Sequence, residues 1–295
     1  HMHGFSSHTL SFWNDKGERV WAKWHLKTNQ GIKNVTDAEA ASLPSFGAQQ
    51  DLVDAIDNGD YPSWSVKVQI MTEAEAKNYH INPFDLTKIW PHSDFPLIEI
   101  GQLELNRNVE NYFAETEQVA FAPNNLVPGI GVSPDRMLQA RLLAYQDAHR
   151  YRVGANVNQI PVNAPRCPVN HYQRDGAMAG MCPAHGGGNN QGSGVNFYPN
   201  DQAAATPDPQ AAAPAMPVEA DAWIKPHDTA EYDHYSQAGD LYRLMSDGQK
   251  DALTATIAGG LVHASASAQE RMLAQIAQAD ADYADRVKQA MANIS

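Results

Sequence analysis

Ser133-Pro134-Asp135-Arg136-Met137-Leu138-Gln139-Ala140-Arg141-Leu142-Leu143-Ala144-Tyr145 is the stretch that decides how this chain is read. Serine followed by proline is a helix-start signal: a side-chain cap, then a φ already fixed for the first helical position. The run predicts a helix over about 134–150. Arg141 and Tyr145 are four residues apart, so on that helix they share one face about a turn from each other. A guanidinium beside a phenol favours phenolate, and phenolate is a strong ligand for ferric iron. A free tyrosine titrates near ~10, so ionising one at neutral pH takes at least about 4 kcal/mol from cation and metal together. Taken alone, the same pair is also the pattern of a surface cation stacked on a half-buried ring.

Upstream of this helix the pattern is that of strands. Val20, Ala22, Trp24 and Leu26 alternate with Trp21, Lys23, His25 and Lys27, a period of two with one face buried. Val66, Val68 and Ile70 repeat it, and Leu97, Ile98, Ile100, Leu103 and Leu105 do so less regularly. Asp15-Lys16-Gly17 has the composition of a hairpin turn. Thr36-Asp37-Ala38-Glu39 and Thr72-Glu73-Ala74-Glu75 are capping boxes that mark helical interruptions. Residues 1–107 are therefore expected to be a strand-rich region. Residues 108–222 have little regular periodicity apart from the Tyr145 helix, and 183–217, with Gly186-Gly187-Gly188 and repeated Ala and Pro, have the composition of a linker. From 223 to 295 the pattern is helical. Ser246-Asp247-Gly248-Gln249 and Ser267-Ala268-Gln269-Glu270 have the form of capping boxes. Leu253 with Ile257, and Met272, Leu273, Ile276, Tyr283 and Val287, make apolar stripes.

Composition narrows the function classes. The net charge of −13 offers no basic stripe to neutralise phosphates, which excludes a general nucleic-acid binder. No apolar stretch approaches the ~18 to 20 residues of a membrane span. Two cysteines, Cys167 and Cys182, are too few for a disulfide framework and fit no zinc spacing. Two unpaired thiols suit a reducing, cytoplasmic setting, and Ala292-Asn293-Ile294-Ser295 carries no peroxisomal address.

Several blocks then occur in a telling order: His1-Met2-His3-Gly4, Gln30-Gly31-Ile32-Lys33-Asn34, Asn82-Pro83-Phe84-Asp85-Leu86-Thr87-Lys88, Asn106-Arg107-Asn108, the Arg141–Tyr145 helix, Asn158-Gln159-Ile160-Pro161-Val162-Asn163 and Asn170-His171-Tyr172-Gln173-Arg174-Asp175-Gly176. This set resembles the monofunctional haem catalases of the small-subunit type, and catalase is the standing example of a tyrosine-ligated haem protein. The resemblance implies an α+β fold: part of an antiparallel catalase-type β-barrel, then an irregular wrapping segment, then a C-terminal α-helical domain. Half a barrel would leave open strand edges. It also implies that the chain is a C-terminal portion, because the family's distal histidine and asparagine match no position from His1 onward.

The activity implied is disproportionation of hydrogen peroxide to water and oxygen in a homotetramer, with haem b as cofactor. Tyr145 would be the proximal ligand of the iron and Arg141 its charge partner. Ser7, Leu86, Phe121, Met137 and Ala144 match positions that line the haem, His149 one near it, and Arg152 one that binds a propionate. His8 beside Ser7 is not the distal histidine, which the family places far upstream. Lys27, Trp90 and His92 match contacts to NADPH, the second ligand implied, although no GxGxxG loop is present. A haem-binding relative with peroxidase or hydroperoxide-converting activity and an inactive structural fragment are the alternatives. On the fragment expectation, the chain by itself turns nothing over.

Overall fold

The computed structural model describes residues 1–164, 212–216 and 232–294. They divide between two units, one drawn from 1–33 and 48–217, the other from 34–47 and 218–295. Cys167, Cys182, the Asn170–Gly176 block and the Gly/Ala/Pro-rich stretch from 183 to 211 lie outside the described residues.

The first unit is built on an antiparallel sheet of six strands: β1 (Gly4–Phe5), β2 (Leu10–Trp13), β3 (Arg19–Thr28), β4 (Ser63–Thr72), β5 (Ile98–Glu104) and β6 (Ile130–Gly131). The order is β5-β4-β3-β2-β6, with β1 added to β3. Asn14 shapes the turn between β2 and β3: its Oδ1 accepts from the backbone N–H groups of Lys16 and Glu18, and Gly17 supplies φ +76. The α+β expectation holds, and the sheet curls as part of a barrel.

Both faces of this sheet carry buried side chains. In β3, Trp21, Lys23 and His25 are buried on one face; on the apolar face Ala22 is buried, whereas Val20, Trp24 and Leu26 are only partly covered. Register explains the grouping. Trp21 faces Met71, Lys23 faces Gln69 and His25 faces Lys67 across β4, so these side chains stand on one side of the sheet. The segment from Tyr79 to Phe95 packs there, forming a core of Trp21, Met71, Trp90 and Phe95. Gln69 fastens that segment by donating to the carbonyls of Trp90 (3.0 Å) and Phe95 (2.5 Å). β5 at the sheet's edge is exposed throughout, Ile98, Ile100 and Leu103 included.

Helix α2 (Gly47–Asp57) and the short α3 (Glu73–Asn78) also fall largely in this unit. α3 opens on the predicted Thr72–Glu75 capping box. Between β5 and helix α4 (Arg136–Arg152) the chain is irregular apart from β6 and a π-turn at Phe113–Glu117. The expected Ser133-Pro134 cap is displaced by two residues. Asp135 is the N-cap, its Oδ1 accepting from Met137 N (2.9 Å) and Leu138 N (3.1 Å), while Ser133 accepts from the Asp135 N–H. A carboxylate both caps the first turn and faces the positive end of the helix dipole, so it prevails over serine.

The second unit contains α1 (Asp37–Ser42), α5 (Ser236–Leu244), α6 (Asp247–Leu261), α7 (Ala266–Ala279) and α8 (Ala281–Ala292). α1 and α6 open on the predicted boxes at Thr36 and Ser246. α7 instead starts from Ser265, which caps Ala268, so the expected Ser267–Glu270 box lies inside the helix. α8 packs on α6 and α7, and α5 on α7. The Tyr242 and Tyr283 rings stack 4.5 Å apart, and the Tyr242 hydroxyl donates to Asp282 (2.6 Å). Arg286 gathers Asp247, Asp251 and Asp282, exposed pairs that contribute little individually. Met272, expected in an apolar stripe, is 48% exposed.

One glycine is required here by close approach. A Cβ on Gly239 would fall inside the Ala279 backbone carbonyl, so α5 and the end of α7 touch only without a side chain. Gly239→Ala is expected to destabilise this unit by about 2–3 kcal/mol through overpacking. Thermal unfolding read by circular dichroism at 222 nm checks it, and an unchanged midpoint would contradict the packing argument.

Candidate functional site

Four side chains meet along the first turns of α4: three from the helix and its cap, and His8 from far away in the sequence. Asp135 uses Oδ1 for the cap and Oδ2 for His8, whose Nδ1 lies 2.5 Å away. The other nitrogen of His8, Nε2, lies 2.7 Å from a guanidinium nitrogen of Arg141. The second terminal nitrogen of Arg141 donates to the Tyr145 hydroxyl at 3.0 Å, and its Cζ stands 4.8 Å from the Tyr145 ring centroid. His8 and Asp135 are buried, at 6% and 2% exposure, so this series runs from the interior towards a half-buried phenol.

The hydrogen-bond directions fix the His8 tautomer. Arginine only donates, so Nε2 must accept, and Nδ1 then carries the proton that goes to Asp135. A doubly protonated ring would set N–H against N–H at Arg141. The His8–Asp135 contact is therefore a hydrogen bond to a carboxylate rather than an ion pair.

Local backbone places His8. Ser7 holds φ +55, the one non-glycine residue with positive φ among the described residues. The His8 N–H bonds back to Ser6 O (2.6 Å), and Ser6 Oγ donates to His8 O (2.8 Å). Such a turn costs of order 1–3 kcal/mol and persists only where neighbours enforce it. Thr9 enforces it from the far side, donating to Pro83 O at 2.5 Å while 1% exposed.

The other expected site residues fall into groups. Met137, Arg141, Ala144 and Tyr145 lie on one helical face, with Met137 53% exposed. The His149 ring is 5.8 Å from that of Tyr145, and its Nε2 bonds the Phe121 carbonyl at 2.7 Å, which brings Phe121 (79% exposed) to the end of the helix. Arg152 donates to the carbonyls of Glu117 and Val119, both at 2.8 Å, and clamps the segment before Phe121. Asn163 closes the same segment through Ala120 N, Gln118 O and Val157 O. Leu86 is half-buried in the loop held by Thr9.

Lys27, Trp90 and His92 do not present three open groups. Lys27 Nζ stands 4.5 Å over the Phe5 ring, and burial followed by the nearby Lys67 charge lowers its pKa. His92 meets His25 edge-on at 5.7 Å, and its pKa is lowered by burial and then by Lys27. Trp90, matched to an NADPH contact, is 1% exposed inside the core.

His8 and Asp135 are the site residues that sequence reasoning missed. Asp135 carried a faint signal as a capping residue type after Ser-Pro. His8 carried none, because its partner is 127 residues away.

The donor set fits one kind of ligand better than another. Among the described residues no group of three or more His, Cys, Asp or Glu could hold a bare metal ion. One phenol oxygen, braced by a guanidinium and flanked by exposed apolar side chains, suits instead an axial bond to a metal carried in a flat apolar ligand.

The family model described as Catalase matches residues 1–204. This chain belongs to the catalase family. A second model, Catalase-related immune-responsive, matches residues 227–291. Catalase A of Pseudomonas putida is 53% identical over 292 residues, covering 97% of this chain and 59% of that protein. The catalase of Aliivibrio fischeri is 50% identical over 290 residues, covering 97% of this chain and 58% of its own length. Among solved structures, catalase A from Saccharomyces cerevisiae superposes with TM-score 0.80 at 38% identity, over 98% of this chain and 60% of that one. A fungal catalase gives 0.78 at 37% identity, over 100% of this chain and 59% of the other. The chain thus spans somewhat under two thirds of the length of these catalase relatives. Among the described residues no helix is long and apolar enough to cross a membrane.

Proposed function

We propose that this chain carries the iron-side half of a haem catalase site, serving the disproportionation of hydrogen peroxide to water and oxygen. The observation that carries this reading is the hydrogen-bonded series Asp135–His8–Arg141–Tyr145, which ends on a phenol oxygen. Bound there, haem iron supplies the redox chemistry by which one peroxide is reduced and another oxidised.

The residues of the chain do the rest. Tyr145 would hold the haem iron through its phenol oxygen. Arg141, fixed by His8, donates a hydrogen bond to that oxygen and orients it. Asp135 keeps His8 in the tautomer that accepts from Arg141. Ser7, Leu86, Phe121, Met137 and Ala144 exclude water around the ligand's face, and His149 stands beside the phenol. Arg152 would hold a propionate through the N–H groups left over from its bonds to the Glu117 and Val119 carbonyls. Lys27 and His92 are the proposed NADPH contacts, through their cationic and donor groups. A homotetramer completes the reading. It accounts for the exposed apolar residues of the 108–164 segment, such as Val109, Phe113 and Tyr151.

Titrating the chain with haemin tests this. A Tyr145-dependent ferric haem spectrum is the expected result, and haemin binding that ignores Tyr145→Phe would overturn it. Oxygen release from hydrogen peroxide on the same sample decides whether this chain completes the reaction.

A further inference from the structure

Lys23 has no part in the site described above, yet it is the most deeply placed ammonium in the first unit. It stands in the middle of β3 opposite Gln69 and is 7% exposed. Lysines usually extend so that the head group reaches water. Here Nζ donates to the Lys88 carbonyl at 2.7 Å and sits 5.4 Å from the centroid of the Trp90 ring. Among the described residues no carboxylate is recorded in an ion pair with it; Asp135 and Asp85 favour its charge from a distance, and it acts in turn against a charge on His25. Keeping a cation there is unfavourable.

The loop between Pro83 and Lys88 shows what the charge does. One end is bonded by Thr9, the neighbour of His8, through Pro83 O. The other end is bonded by Lys23 through Lys88 O. The loop therefore ties Lys23 to the strained Ser6–His8 turn, while its charge acts on the carboxylate that receives the His8 proton.

We propose that the Lys23 ammonium is a positioning residue for the site: it holds Asp135 and the Pro83–Lys88 loop so that His8 seats Arg141 against Tyr145. This rests on the haem reading for its consequence, but not for its geometry.

Burial draws the Lys23 pKa down from 10.5 to about 8, so its charge can be removed by pH without mutation. The test records two signals between about pH 6.5 and about 10. One is the absorption spectrum of the haemin-loaded chain. The other is hydrogen exchange, in the haem-free chain, of the Met137 and Leu138 amides that Asp135 caps. Wild type is expected to show one step near pH 8 in both. Lys23→Met should show the high-pH form throughout, with haemin retention at pH 7 weaker by about 10-fold, the lower end for groups that orient a metal ligand. Lys23→Arg, charged at every pH used, should lose the step.

A step that survives in Lys23→Met overturns the proposal, as does a wild type without a step. An exchange step that leaves the haemin spectrum unmoved also overturns it, because the charge then acts only locally. Failure of every variant to retain haemin would sink the haem reading instead. The exchange data would still decide whether Lys23 governs the Asp135 cap, and if they show no step the proposal falls.

Discussion

Tyr145→Phe is expected to weaken haemin retention by well over the ~10- to 100-fold typical of groups that act behind a metal ligand, since it removes the ligand itself. The substitution deletes one oxygen and leaves the ring in contact with His149 and under the Arg141 guanidinium. The fold of α4 does not rest on that oxygen, because the helix is capped by Asp135 and anchored by buried Leu138. Far-ultraviolet circular dichroism should therefore match wild type while the haem spectrum changes. Equal haemin affinity in the two proteins would remove Tyr145 from the ligand position.

Asp135→Ala is expected to give the largest loss of stability. It removes an N-cap worth about 1 kcal/mol. It also strands the buried Nδ1–H of His8, for about 1–3 kcal/mol more. The sum, about 2–4 kcal/mol, should appear as a lower urea midpoint of the first unit with an unchanged slope. Haemin retention should fall as well, because His8 no longer has a reason to keep the tautomer that accepts from Arg141. Asp135→Asn separates the two roles: Oδ1 still caps, but an amide nitrogen opposes the His8 N–H. The expected pattern is a loss of haemin retention in both, with a smaller loss of stability in Asn, about 1–3 kcal/mol from the unpaired His8 N–H, than in Ala. If Asn and Ala unfold alike, the carboxylate acts chiefly through His8.

The charge on Lys23 gives stability a direction with pH. Its folded pKa, about 8, lies below the unfolded value of 10.5, so between these limits the unfolded chain binds more protons. This group's contribution therefore rises as pH climbs from about 8 towards 10.5 and is flat below. Lys23→Met should flatten that part of the stability curve in urea unfolding.

Helices were the most legible part of the sequence, because their signals are local. The boxes at Thr36, Thr72 and Ser246 sit within four residues of what they cap and appear as expected. The Arg141–Tyr145 pair was equally visible, being one helical turn apart. What could not be seen was whatever depends on partners brought from afar. His8 meets Asp135 across 127 positions and Arg141 across 133, and neither distance leaves a pattern. Trp90 looked like a free aromatic surface for the same reason: only the fold shows that Gln69 and Phe95 close over it. The second nucleation signal near α7 misled because Ser265 and Ser267 are both capable caps, and only tertiary packing chooses between them.

The burial of polar side chains on one face of the sheet carries a further consequence. A saturation library over β3 and β4 would rank positions against the usual expectation from side-chain polarity. Lysine, histidine and glutamine at 23, 25 and 69 should tolerate few replacements, because each is buried and hydrogen-bonded. Variant-effect scores that weight hydropathy would class these three as permissive, and their largest errors on this chain should fall there.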